Sequence, residues 1–380
     1  MNVSKSFFLK CSKLFKRLAS AFFFLSTCFY RKSFLVNQLK IKKEESKNVA
    51  IDKQAISERW RGIHINPEWI RFYNGIQRDT PSAPFDSRYI PLDIQYCFVD
   101  DWFNDTCSAL ILDDKNLYDL FFHDINRPVT VGRIIGGSFF DRDYKKITLA
   151  ELVEYCIKVK HIIMKPSVFS STGNGIVFWD LEDGVERLES FLENHHNYII
   201  QELIQQHKDI NAIYKDSVNS IRIITCFLDG KTDVLSAVIR MGANGSRLDN
   251  SGKGGLFCGI NDDGRLKKYG YSKDGKAFAK HPQGGVFAEC SIPGFLQCKE
   301  LCIALSNRFF RIAKLISWDL AIDNNVNPVL IEVNLCYGGA DIHQIANGPL
   351  YGEMTDDILN RVFRTKKKYS LANRFLCLFG

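Results

Sequence analysis

The chain of 380 residues lacks a long apolar run. Its most apolar stretch, Leu18 to Tyr30, covers 13 residues, and crossing a bilayer takes about 20. The TCFYRK that closes this stretch has no small-x-small cleavage pattern, so no secretory signal is expected either. The 12 cysteines include no CxxC pair. Cys298 and Cys302 lie four apart on a helical pattern, but no further Cys or His pair completes a zinc site. Several of the others fall in apolar runs, as buried free thiols do, and a reducing cytoplasm is the expected setting. A phosphate-binding GxxxxGK[ST] run and a dinucleotide-binding fingerprint are both missing. No internal repeat occurs. With 46% hydrophobic and 24% charged residues and a mean hydropathy of −0.13, the composition excludes disordered, collagen-like and polytopic membrane chains.

Positive charge is missing too, from the middle. Residues 1–61 carry a net +10 and residues 361–380 a net +6, which leaves the body at −9. An acidic body argues against nucleic acid as a partner, because such readers present a basic groove. The basic ends carry bulky apolar residues, among them Phe22, Phe23, Phe24 and Leu25 at one end and Phe375, Leu376, Leu378 and Phe379 at the other. That design suits peripheral attachment to an anionic membrane surface. Helices packed on the body are the other reading. Repetition of the design at both ends favours the membrane surface.

What is present reads as mixed α and β. TLAELVEYCIKV predicts a helix capped by Thr148, and HIIMK a strand after it. A short strand over 176–180, a helix over VERLESFLENH and a buried strand over YIIQELI follow. IRIITCFL and DVLSAVIRM predict a hairpin about Asp229-Gly230. CKELCIALSNRFFRIAKLI reads as one long amphipathic helix, and ISWDLAI and PVLIEVN as strands. Antiparallel hairpins among helices define an α+β class.

The last hairpin carries the clearest chemistry. Its turn is Asp323 to Pro328. Pairing Ile322 with Val329 places Asp319 opposite Glu332, with Cβ atoms about 5 Å apart. Asn334 shares the Glu332 face because the strand period is two. Opposed carboxylates repel unless a cation lies between them, and an all-oxygen set suits Mg²⁺; a hairpin face with both carboxylates turned to water is the other reading. A second signal is Lys165 at a strand end, before a Ser/Thr/Gly loop running from Ser167 through Ser171 and Gly173 to Gly175. Free backbone N–H groups and hydroxyls of this kind can fold over phosphates, although a glycine turn between strands can equally be a plain hairpin. A third is the apolar strand carrying Gln201 and Glu202, where a ribose diol would partner the carboxylate, unless it is an edge strand facing water. A fourth is Arg222 and Arg240 interrupting apolar strands ahead of Asn250 and Gly254-Gly255, which suggests an anion or a structural ion pair.

The assembled order is Lys115, Lys165 with its loop, QELI, R-x(17)-R-x(9)-N-x(3)-GG, then D-x(12)-E-x-N. It resembles the ATP-grasp superfamily, most closely the sugar-transfer-associated branch, over about residues 90–360. The Arg222 to Gly255 stretch is also similar to ribosomal-protein glutamate ligases. The resemblance implies an ATP-grasp fold with two α+β lobes clasping ATP. It divides the chain into a basic extension (1–61), an N-terminal lobe (62–160), nucleotide-binding and catalytic lobes (161–360) and a basic tail (361–380). It implies that Lys115 and Lys165 contact phosphates and that the 167–175 loop closes over them. Glu202 would hold ribose, with Gln201 and Leu203 beside adenine. Asp319, Glu332 and Asn334 would bind two Mg²⁺ ions, with Arg222, Arg240 and Asn250 in catalytic positions. Many superfamily ligases place an arginine two residues before the first metal aspartate. Here that position is Ser317, and Arg240 is expected to stand in. His281 is a candidate for the acceptor side, or an ordinary loop histidine. The activity implied is carboxylate–amine ligation of a sugar-linked acid or amine through an acyl phosphate, in polysaccharide synthesis. A phosphotransferase, or a non-catalytic nucleotide-binding scaffold, is the alternative.

Overall fold

The computed structural model describes residues 24–28, 35, 48–77, 84–105, 110–168 and 173–365. The chain forms two compact units. The smaller takes its described residues from before Phe103 and from Gly348 onward. It contains α1 (Lys53–Arg59), α2 (Glu68–Asn74), a π-helical turn at Gln95–Val99 and a final helix at Thr355–Thr365. Aromatic packing holds it together. Tyr73 stacks on Tyr89 at 5.1 Å, and Phe98 meets Phe363 at 5.3 Å. The helical residues 24–28, part of the apolar N-terminal stretch, pack here too. Phe24 lies edge-on to Phe98 at 6.3 Å, and Cys28 is fully buried. Most of the expected extension and all of the tail beyond residue 365 lie outside the described residues. No described helix is long and apolar enough to cross a membrane.

The larger unit holds two antiparallel sheets. The first has six strands in the order β3-β2-β1-β6-β4-β5. They are β1 (Thr130–Ile135), β2 (Ser138–Phe140), β3 (Lys146–Ile147), β4 (His161–Pro166), β5 (Val177–Asp180) and β6 (Tyr198–Glu202). Helix α3 (Leu149–Val159) begins on a capping box: Thr148 Oγ1 accepts from Glu151 N at 3.2 Å and Glu151 Oε2 accepts from Thr148 N at 2.7 Å. With α4 (Val185–Glu193) it covers one face of the sheet, where Leu152, Cys156, Leu188 and Leu192 meet Ile162, Met164 and Ile200. Strand alternation then turns Lys165 and Gln201 to the opposite face. The sheet draws strands from both sides of residue 160.

The second sheet has seven strands in the order β11-β10-β9-β8-β7-β12-β13. They are β7 (Ile221–Leu228), β8 (Lys231–Met241), β9 (Leu256–Ile260), β10 (Leu266–Tyr271), β11 (Ala277–Phe278), β12 (Leu315–Ile322) and β13 (Pro328–Asn334). Asp229 (φ 51°) and Gly230 (φ 83°) turn the β7–β8 hairpin with the two positive φ angles that a tight right-twisted hairpin needs. One face packs on α5 (Phe295–Phe309), where Cys298, Cys302 and Leu305 lie under Trp318, Leu320 and Ile223. The described cysteines are all free thiols.

Two expectations need correction. The long helix was expected to continue through Ile316, but it stops at Phe309 and Leu315 already belongs to β12. There Leu315 pairs with Cys226, so strand pairing overrides the local helical pattern. The hairpin register also differs at the turn. Ile322 pairs with Pro328 and Ala321 with Val329, and a bulge between Asp319 and Leu320 restores the pairing of Asp319 with Glu332.

Candidate active site

The face of the second sheet away from α5 carries an unusual row of charge. Arg222 on β7 is the cross-strand partner of Asp319 on β12, and Glu332 on β13 is its partner on the other side. The Arg222 guanidinium grips the carboxylate bidentately, Nε donating to Oδ1 and Nη2 to Oδ2, each at 2.7 Å. Arg240 on β8 donates from Nη2 to the same Oδ2 at 3.1 Å. Asn334 Nδ2 lies 3.4 Å from it. Asp319 is fully buried. Burial alone would raise its pKa, and the two guanidiniums outweigh it and hold the carboxyl below its ordinary value.

Glu332 is balanced differently. Its Oε1 lies 2.7 Å from Nζ of Lys115, which comes from the segment preceding the first sheet and is itself buried. Lys115 N donates to Ser167 O at 2.9 Å, tying it to the start of the glycine loop. Lys165 is buried at the end of β4, and among the described residues it has no ion-pair partner. Burial and then the neighbouring Lys115 charge lower its pKa to about 8. With no carboxylate in ion-pair contact, and only longer-range attraction from Glu332 and Asp249, the buried Lys165 ammonium is a place for an incoming anion.

The depressed pKa of Lys165 gives a prediction with a definite sign. Between pH 8 and 10.5 the unfolded chain binds the proton that the folded chain has released. Stability without ligand should therefore rise with pH across that window, by on the order of 3 kcal/mol relative to Lys165→Met. Affinity for a phosphate-bearing ligand should fall over the same range. Denaturant melts of both proteins at several pH values check it, and superimposable pH profiles would contradict it.

The other sequence candidates fall around this cluster. Ser167 is buried, and Gly173 and Gly175 both have positive φ, 68° and 76°. A Cβ on Gly175 would lie 2.8 Å from the Pro166 ring, so glycine is needed there. Ser171 lies outside the described residues. Asn250 approaches Gly173, its Nδ2 being 3.7 Å from where a Cβ would sit, while its Oδ1 accepts from Gly252 N at 2.7 Å. Gln201 is buried on the Lys165 face of the first sheet. Glu202 closes β6, and Leu203 opens the connection that reaches the second sheet at Gln206, bridged to Asp323.

Three residues were not singled out from the sequence. Asp249 and Ser220 complete the Arg240 cage: Nη2 lies 3.1 Å from Asp249 Oδ2 and 2.7 Å from Ser220 Oγ, and Ser220 donates to Asp249. Arg247 joins the two sheets, donating to Asp180 Oδ2 at 2.9 Å while lying over the Phe178 ring at 4.1 Å. Adjacency to Asn250 in the glycine-rich stretch was the one signal for Asp249. Ser317 donates to Gly338 O at 2.9 Å, so that position supplies no cation. Both ring nitrogens of His281 are engaged within the protein. It is fully buried, its Nε2 lies 2.8 Å from Gly242 O, and its Nδ1 accepts from Gln283 N at 3.2 Å.

The oxygen donors fit a hard divalent ion. Asp319, Glu332 and Asn334 are the chemistry Mg²⁺ takes, one or two carboxylates with the remaining positions left to phosphates and water. Asp319 Oδ1 accepts a single donor, so it retains a lone pair. The cations that offset the opposed carboxylates within the protein are Arg222, Arg240 and Lys115.

Two sheets meeting over such a cluster define the ATP-grasp fold. The chain belongs to the sugar-transfer-associated ATP-grasp family, whose description matches residues 99–358. No curated protein matches the sequence. Among solved structures it is similar to D-alanyl-alanine synthetase A from Vibrio cholerae, with 11% identity and a TM-score of 0.41, covering 69% of this chain and 67% of that one. It is also similar to N5-carboxyaminoimidazole synthase from Aspergillus clavatus, with 10% identity and a TM-score of 0.40, covering 67% and 54%. For an L-amino acid ligase from Bacillus licheniformis the values are 14%, 0.38, 67% and 48%. The chain thus spans about half the length of the last two.

Proposed function

We propose that the protein is an ATP-dependent carboxylate–amine ligase that works through an acyl phosphate on a sugar-linked acid or amine of polysaccharide synthesis. The observation that supports it most is the meeting of four cations, Lys115, Lys165, Arg222 and Arg240, with Asp319, Glu332 and Asn334 on one buried surface. Such a surface suits a triphosphate with its metal. The family's association with sugar transfer supports the substrate class.

In this reading Lys165, and Lys115 held by Glu332, face phosphate oxygens. Asp319, Glu332 and Asn334 hold Mg²⁺, which when bound neutralises phosphate charge. Asp319 fixes both guanidiniums before substrate arrives, so little reorganisation is needed at the moment of reaction. Arg222 and Arg240 then meet the transferred phosphoryl group or the acceptor carboxylate, and Asn250 steadies the neighbouring loop. Ser167, Gly173 and Gly175 lie against the phosphates. Glu202, Gln201 and Leu203 take the nucleoside. A carboxylate oxygen attacks the γ-phosphorus as ADP leaves, and the amine nitrogen then displaces phosphate. Acid, amine and ATP become amide, ADP and phosphate, with no protein nucleophile.

The test supplies uronic acids and aminosugars singly and in pairs, with ¹⁸O in the carboxylate. Steady ADP release that needs both partners, with ¹⁸O recovered in phosphate, is expected. ADP release on a hydroxyl acceptor alone, without label in phosphate, would make the protein a phosphotransferase instead.

A further inference from the structure

Helix α6 (Ala340–Asn347) lies on the Arg222 side of the second sheet, against β8 and β9. Its His343 is fully buried. The ring Nδ1 lies 2.8 Å from Ser236 Oγ. Asn347 Nδ2 donates to the same hydroxyl oxygen at 2.8 Å and to Ala237 O at 2.9 Å. Asn347 already donates to the Ser236 oxygen, so the arrangement that also uses the Ser236 hydroxyl proton donates it to Nδ1, which puts the proton of a neutral ring on Nε2. Among the described residues that Nε2 has no hydrogen-bond partner. Buried donors are rarely left unsatisfied, because the group has lost water and gained nothing.

The helix that carries the ring begins beside Arg222, and the charges of Arg222, Asp319 and Arg240 all act on the imidazole. One turn earlier on the chain, Gly339 has a Cβ position 3.1 Å from Arg222 Nη1, and His343 N donates to Gly339 O at 3.2 Å. The helix start is thereby seated against the guanidinium that grips Asp319. Burial, and then the Arg222 charge, lowers the ring pKa to about 3, so the imidazole is neutral over the physiological range. We propose that His343 Nε2–H is a neutral hydrogen-bond donor to an anionic oxygen bound beside Arg222, on the transferred phosphoryl group or on the acceptor carboxylate. The proposal deepens the ligase reading and rests on it. Arg222 and Arg240 already offset the buried Asp319. A neutral donor fixes the direction of the incoming oxygen without adding another positive charge.

The test uses the full chain with ¹⁵N-labelled histidine. Long-range proton–nitrogen spectra are recorded with inorganic phosphate and, separately, with acetate, each with and without Mg·ADP. The expected result is an Nε2-protonated ring whose Nε2 signal moves with one anion. Phosphate identifies the phosphoryl oxygen and acetate the carboxylate. A ring protonated on Nδ1, or a signal unmoved by either anion, would overturn the proposal. If Mg·ADP binds in that second case, His343 fails while the nucleotide reading stands. If an anion moves Nε2 and Mg·ADP does not bind, His343 stands and the nucleotide reading fails. Two variants separate a binding role from a structural one. His343→Gln puts an amide N–H near the Nε2 position, and His343→Asn puts one near Nδ1. His343→Asn should weaken the active anion about tenfold and His343→Gln no more than about twofold. Tighter binding by the Asn variant would mean that only the Ser236 bond matters.

Discussion

Glu332→Gln should lower Mg·ATP turnover by roughly a hundredfold or more while leaving the fold in place. The substitution is nearly isosteric, and an amide oxygen still accepts from Lys115 Nζ, 2.7 Å from Oε1. What is lost is a charge at the place where the ion and the phosphates would be held. Glu332 lies at the partly exposed end of the cluster, so loss of its charge strands no deeply buried partner except Lys115. Steady-state ADP release and the melting temperature of the same sample separate the two effects. Wild-type turnover would remove Glu332 from the metal set. Loss of turnover together with the fold would make its pairing with Lys115 a structural bond first.

Asp319→Ala should act in the opposite sense, on stability before chemistry. Asp319 accepts from Arg222 twice and from Arg240 once, and its side chain is 1% exposed. Removing it leaves two guanidiniums in a poorly hydrated place, Arg240 still paired with Asp249 and Arg222 with only longer-range attraction from Glu332 and Asp249. Breaking a buried pair from one side typically costs about 3–5 kcal/mol. Since the folded pKa of Asp319 is depressed, its contribution is complete above the unfolded carboxyl pKa. It is lost as pH falls through the folded value. Denaturant melts at neutral pH should show the full loss in the variant. A change below about 1 kcal/mol would mean that water already solvates both arginines.

These two residues also show how far the sequence could be read. The opposition of Asp319 and Glu332 was legible because both strands and their turn are contiguous. An unbroken register predicts that opposition, while the true ladder is offset at the turn and corrected by a bulge. The partner of Asp319 was not legible in the same way. Arg222 stands beside it only because β7 pairs with β12 across some ninety intervening residues, and no local pattern encodes that pairing. Lys165 was readable from its place at a strand end ahead of glycines. Asp249, Ser220 and His343 were not, because their meaning lies in what they touch. Strands β9 to β11, short and interrupted by glycine turns, gave little alternation to read. The end of α5 was misplaced because Leu315 and Ile316 suit either state, and pairing with β7 decided it.

Calorimetric titration of the full chain with a non-hydrolysable ATP analogue, with and without Mg²⁺, tests the nucleotide site most directly. The wild type should bind one equivalent, more tightly with Mg²⁺. Lys165→Met should weaken binding about tenfold or more while melting no lower than wild type, because it removes a charge-assisted contact to phosphate and also the cost of the buried ammonium. Absence of binding by the folded wild type, or equal affinity in Lys165→Met, would contradict a nucleotide site built on the cluster of Lys115, Lys165, Asp319 and Glu332.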